Sequence, residues 1–433
     1  MPYQQLAKDR RKFLKRQVWK TRLALWFGAL VIGLVATTLA VTGDKIELLF
    51  KQTLIIYPYF PLIVTPLGFL IITWITRNYL FGAQGSGIPQ TIAALKMKNH
   101  KQRSMVLSFP IAFGKAVLIL FGLLCGASIG RGGPTIHIGA AIAYSISRFA
   151  RFPYHDIGRG LILAGAAAGL TAAFNTPLAG IMFTIEEMTR NYEEKINTTM
   201  ILVVIIASIV YMSLLGNFRY MGHVSGDIAI YNTLYTVLIC GIAGGLFGGV
   251  FTFFLIRVGR LLNPVRLNKP YFFALVCGFL VAVIGISSNG QSFGTGYFEI
   301  ASLLSEQGQI NHEYPFTKLL ATVISYWSGI PGGIFTPTLS IGAGMGAELA
   351  QWIDGLPVSI IIVLGAAAYF TGVMQTPITA AILIVEMTGD IELFLPLLAA
   401  TLVANSVSRY FNNEPIYRAL AAEFLRNMKL EKH

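Results

Sequence analysis

The chain has 433 residues, of which 55% are hydrophobic and 12% charged, and a formal net charge of +13. A soluble domain averages roughly 45–50% apolar and 25% charged residues, so the composition argues against a water-soluble protein and for lipid as solvent. Cys125, Cys240 and Cys277 lie in apolar runs without CxxC spacing, and the six histidines lack HExxH or other paired spacing, so neither a disulfide framework nor a metal site is indicated.

In chain order, a basic cluster comes first: Lys8, Arg10, Arg11, Lys12, Lys15, Arg16, Lys20 and Arg22 precede the first apolar run. By the positive-inside rule this end is cytoplasmic, and the cluster suits topology and anionic lipid better than nucleic acid. Uncharged or nearly uncharged runs follow at 23–42, 52–76, 160–185, 228–256, 270–298, 319–347 and 355–385. Each reaches the ~20 residues that a membrane-spanning helix needs. The run at 23–42 is too long for a signal-peptide core and is read as a retained helix. Basic patches at Lys96–Arg103, at Arg148, Arg151 and Arg159, at Arg257, Arg260, Arg266 and Lys269, and at Arg418, Arg426 and Lys429 are placed inside as well, so both termini are cytoplasmic.

Displaced by 200 residues, the sequence matches itself. GAAAGLTAAFNTPLAGIMFTIE from Gly165 pairs without a gap with GAAAYFTGVMQTPITAAILIVE from Gly365, sharing Thr171/Thr371, Thr176/Thr376, Pro177/Pro377 and Glu186/Glu386. At an offset of 203, PTIHIGA from Pro134 pairs with PTLSIGA from Pro337. A single transmembrane domain over 1–433 therefore contains two homologous halves, about 17–215 and 229–412, with a short cytoplasmic tail at 413–433. Such repeats in transporters meet around a site near the midplane, where helices are broken by Gly and Pro. The parity of the spans, which decides whether the halves are inverted, is left open by the sequence.

Three breaks fit that description: GSGIP at 85–89, GRGGP at 130–134 and GGIFTP at 332–337. Each has the form of a loop entering a helix start, with Pro in the first turn and Gly permitting tight backbone. A helix start carries unpaired N–H groups and the positive end of the dipole, which attract an anion. In a membrane such irregular backbone survives only when buried in protein or lining a wet cavity.

With Pro415-Ile416-Tyr417 after the last apolar run, these motifs resemble the signatures GSGIP, GREGP and GxFxP of the CLC family of chloride channels and chloride/proton antiporters. The resemblance covers almost the whole chain. It implies an all-α integral membrane protein, an inverted repeat of tilted and partial helices, and a homodimer in which each subunit has its own pore. It further implies a central chloride held by the hydroxyls of Ser86 and Tyr417 and the N–H groups of Ile334 and Phe335, with an outer chloride against Arg131, Gly132 and Gly133. Chloride is then the bound substrate ion, membrane lipids and a second subunit are the partners, and no cofactor or enzymatic activity is expected. No paired cytosolic regulatory domains are expected after the last membrane run.

One departure matters. Where the family motif has a glutamate that blocks the outer site and carries protons, this chain has Gly132, while Glu187 matches the inner proton-transfer glutamate as a candidate. The expectation is a passive, uncoupled chloride channel or uniporter in a bacterial inner membrane. The alternatives are a chloride/proton antiporter with a substitute group, such as His137 one turn along, and a fluoride-exporting relative, against which Ser86 and Tyr417 argue. Lys115, Arg131 and Lys318 sit among apolar residues, where each could raise the pore's positive potential or pair with a buried acid.

Overall fold

The computed structural model describes residues 2–97, 99–149, 155–189, 198–216, 218–222, 224, 230–305 and 310–430. The basic residues Arg151 and His433 fall outside them. The described residues are almost wholly helical, and their only β-pairings are two isolated bridges. The first half contains α1 (Pro2–Ile56), α2 (Pro61–Asn78), α3 (Ile88–Lys96), α4 (His100–Ser104), α5 (Phe109–Leu124), α6 (Gly132–Phe149), α7 (His155–Phe174), α8 (Pro177–Phe183), which continues into a π-helical turn at Thr184–Thr189, and α9 (Thr198–Leu215). The second contains α10 (Ile230–Asn268), α11 (Pro270–Ser287), α12 (Tyr297–Leu304), α13 (Tyr314–Trp327), α14 (Phe335–Ala350), α15 (Val358–Met374), α16 (Pro377–Thr388), α17 (Phe394–Phe411) and α18 (Ile416–Leu430).

Several apolar runs that look long enough to span are broken in the fold. The run at 160–185 is split at Asn175-Thr176, that at 355–385 at Gln375-Thr376, that at 270–298 after Ser287, and that at 319–347 between Trp327 and Phe335. Among the described residues, six helices are long and apolar enough to cross a membrane. Hydropathy misses the breaks because the breaking residues are themselves uncharged and buried: Thr176, Thr376 and Ser328 are at most 3% exposed. Internal polar side chains take up part of the freed backbone.

The split segments show how the halves are related. Asn175 and Gln375 both adopt left-handed backbone, with φ of 57° and 56°. The next residues, Thr176 and Thr376, share φ/ψ of −123°/75° and −127°/74°, and each is followed by Pro at the helix start. The Glu386 carboxylate accepts from the N–H groups of Leu178 and Ala179 at 2.9 and 2.8 Å, so it caps α8. Reciprocally, Glu186 accepts from the N–H groups of Ile378 and Thr379 at 3.2 and 2.8 Å and from the Thr379 hydroxyl at 2.7 Å, so it caps α16. When a residue contacts its partner's equivalent and the partner returns the contact, the two units are related by a two-fold axis. Each acid also meets the positive end of the other half's helix.

A second reciprocal pair fixes the direction. Gly130 and Gly333, equivalent at the offset of 203, exchange N–H···O=C bonds of 2.6 and 2.8 Å in an antiparallel bridge. Equivalent residues running antiparallel mean that the halves enter this point from opposite directions, which makes the repeat inverted. The helix pairs α6/α7 and α14/α15 form the centre of each half and pack on glycines. A Cβ on Gly165 would meet the Gly139 carbonyl, and one on Gly365 would lie 2.6 Å from Cα of Gly346. Small residues at crossings let membrane helices approach backbone to backbone, where packing rather than hydrophobicity holds them together.

Candidate anion site

The starts of α6 and α14 lie side by side across the two-fold. Beside the Gly130–Gly333 bridge, the Gly333 Cβ position lies 2.9 Å from Cδ of Pro134 and the Gly130 position 2.6 Å from Cδ of Pro337. The first backbone bonds of the two helices run from Thr135 N–H to Arg131 O and from Thr338 N–H to Ile334 O, both 2.9 Å. Gly132 and Gly133 in one helix, and Phe335 and Thr336 in the other, are therefore the first-turn residues whose N–H groups have no intrahelical acceptor.

The third start is tied to the second. Gly85 N–H donates to Ile330 O, and Gly332 N–H donates to Gly85 O, each at 3.1 Å. Gly85 and Gly87 have φ of 56° and 92°, a conformation that favours glycine, and they hold Ser86 between them just before α3. A Cβ on Gly133 would fall on Ser86 Oγ, so the serine hydroxyl sits against the α6 start. Tyr417, at the start of α18, is fully buried, and its hydroxyl faces Ser86. Ser86 Oγ, Tyr417 OH and Thr336 Oγ1 are all buried without a hydrogen bond of normal geometry. Leaving a buried hydroxyl unpaired costs about 1–3 kcal/mol, which an acceptor placed beside Ser86 and Tyr417 would offset for both.

The structure thus brings Ser86, Gly132, Gly133, Ile334, Phe335 and Tyr417 to one locus. Arg131 is different, because its guanidinium turns away to α1. There it pairs with Asp44 at 2.5 Å and donates to the Ala40 carbonyl. Lys115 Nζ donates to Gly85 O at 3.3 Å, and Lys318 Nζ to the carbonyls of Ser292, Phe293 and Gly294 at 2.8–3.1 Å. Of these three cations Arg131 alone contacts a carboxylate directly, and both lysines brace loop carbonyls. Glu187 is fully buried on the π-helical turn, within electrostatic reach of Tyr417. His137 is also buried and abuts Gly87 beside Lys115.

Gly132 is covered by aromatic rings. A Cβ there would lie 2.8 and 2.9 Å from two ring carbons of Phe174 and 3.2 Å from Phe335. These two rings stack at 5.7 Å, the Tyr220 ring meets Phe174 edge-on at 5.0 Å, and the Arg131 guanidinium lies 5.9 Å from the centre of Tyr220. Sequence reasoning missed Phe174, Tyr220 and Thr336. Thr336 stands inside a motif already singled out, but nothing in the local sequence marks the two aromatic residues.

A sequence model of the voltage-gated chloride channel family matches residues 68–409. The chain belongs to this family, that of the CLC proteins. Its fold is shared with a slow cyanobacterial Cl−/H+ antiporter, at 24% identity and a TM-score of 0.80 over 94% of this chain and 98% of that one. It is similar also to a CLC-type fluoride/proton antiporter (23% identity, TM-score 0.75, 92% and 98% covered) and to a eukaryotic CLC transporter (24%, 0.72, 93% and 74%). At such identities the likeness carries the fold, and this CLC protein is accordingly an integral membrane protein built as an inverted repeat of helices.

Proposed function

We propose that this CLC protein is a passive, uncoupled chloride channel or uniporter. The observation that carries the reading is Gly132: the first turn of α6 has no carboxylate, and the Phe174 and Phe335 rings lie where a side chain would begin. Ser86, Tyr417 and the N–H groups of Ile334 and Phe335 hold a central chloride, and the N–H groups of Gly132 and Gly133 an outer one, with Arg131 positioned by Asp44. These donors are neutral, which suits conduction, since an ion that must leave again is better held weakly at several sites than tightly at one.

The solved relatives named above are antiporters, so the competing reading is proton coupling through another group. His137 is a poor substitute, because it abuts Gly87 and Lys115 rather than the Phe174 side of Gly132. Glu187 near Tyr417 is a candidate inner proton group that has no outer counterpart at position 132. In our reading the chain transports rather than catalyses, needs no cofactor, and works as a homodimer with one pore per subunit and both termini in the cytoplasm of a bacterial cell. The test is the reversal potential in planar bilayers at fixed chloride and varied pH gradient. An uncoupled pore reverses at the chloride equilibrium potential whatever the pH difference, and a reversal potential that moves with pH contradicts the proposal.

A further inference from the structure

A cavity of about 370 Å³ opens between the C-terminal end of α2, the α10–α11 turn, the end of α13 and helix α18. Its volume falls in the range of small-molecule sites, far larger than a single halide needs. Arg77, in the last turn of α2, and Arg266, near the end of α10, line it together and lie within electrostatic reach of each other. The acid near Arg266 is Glu423 of α18, which also pairs with Arg260 at 3.6 Å. The side-chain bond that Arg266 makes goes to the neutral Asn263 amide at 2.8 Å, and Arg77 has no ion pair among the described residues. Two guanidinium groups, Arg260 and Arg266, therefore share the Glu423 carboxylate, and Arg266 and Arg77 face a common, half-buried space where like-charge repulsion is weakly screened.

We propose that this cavity binds a phosphate-bearing anion. Two guanidinium forks lining one cavity suit the oxygens of a phosphate, which can accept two parallel N–H bonds from each. The rest of the wall includes Phe81, Phe424 and Met428, an apolar surface fit for the stem that carries the phosphate. Basic pockets between membrane helices take phospholipid headgroups in this way, and a soluble phosphate ester would present the same chemistry. The position gives the site a consequence. Gln84, which also lines it, stands two residues before Ser86; Gly329 opens the connection that runs to Ile334; and α18 carries Tyr417. An occupant thus touches each of the three segments that bring the central donors together, and its binding shifts the conduction rate.

The test uses the full chain in detergent, titrated calorimetrically with dioctanoyl-phosphatidylglycerol and, separately, with inorganic phosphate. Saturable binding of either probe that weakens about tenfold or more in R77Q/R266Q, the loss expected when charge-assisted bonds are removed, supports the site. The lipid binding alone identifies a headgroup as the source, and equal binding of inorganic phosphate identifies a soluble one. No saturable binding of either probe, or binding untouched by the double substitution, overturns the proposal. Chloride titration of the same variant is expected to match the wild type, which separates failure here from failure of the pore reading. If the glutamine pair does not fold, R77K/R266K keeps the charges and loses the forks; wild-type affinity in that variant overturns the assignment.

Discussion

Ser86 and Tyr417 each supply one neutral hydroxyl to the locus between the helix starts, and among the described residues neither makes a hydrogen bond of normal geometry. A hydrogen bond to a charged group is worth about 1.5–3 kcal/mol. Ser86→Ala and Tyr417→Phe are each expected to weaken chloride binding by roughly ten- to a hundredfold in calorimetric titration, and unchanged affinity in both would place the anion elsewhere. Gly132 makes a separate prediction, because its Cβ direction is occupied by Phe174. Gly132→Glu is expected to lower chloride flux and to destabilise the protein by about 1–3 kcal/mol through overpacking. Shrinking the ring with Phe174→Leu in the same chain makes the pair cost less than the sum of the single changes. Strict additivity in thermal unfolding would show that the ring does not occupy the place of the missing side chain.

At the scale of the helices, the exchange of caps between Glu186 and Glu386 holds the two halves together at the broken segments. Replacing either acid with glutamine puts an NH₂ donor against N–H donors and forfeits a charge-assisted bond. Each variant is expected to lose about 1.5–3 kcal/mol, read as a lower unfolding temperature in detergent, whereas exposed acids such as Glu392 leave it unchanged. These elements were partly legible in the sequence. The helix starts at Ile88, Gly132 and Phe335 could be read because close backbone approach and first-turn positions favour Gly and Pro, with left-handed backbone at Gly85 and Gly87 before Ile88. The repeat could be read because Thr-Pro and the closing Glu recur at one offset. The interruption of the apolar runs could not, since Asn175-Thr176 and Gln375-Thr376 break helices without adding charge. Nor could the Arg131–Asp44 pair or the Phe174 ring over Gly132, which join residues remote in sequence, and periodicity and motifs carry no information about such pairs. The direction of the repeat became clear only in the antiparallel bridge between Gly130 and Gly333.

For the whole molecule, the inverted repeat delivers two helix starts to one point from opposite directions, and the α3 start and the α18 tyrosine complete the locus. Arg131 is held by Asp44 and Lys318 by loop carbonyls, whereas Lys115 reaches the Gly85 carbonyl beside Ser86. In the proposed function, such a centre attracts an anion through dipoles and hydroxyls while leaving it free to move on. In the proposed reading, Gly132 leaves the outer end of the path without the carboxylate that would take up a proton in exchange for chloride. The most direct test is chloride efflux from proteoliposomes with simultaneous recording of external pH. The account predicts that chloride leaves at a rate set by its own gradient, with no stoichiometric proton movement once the membrane voltage is clamped by valinomycin and potassium. Proton uptake against a pH gradient, driven by chloride efflux at fixed stoichiometry, would contradict it.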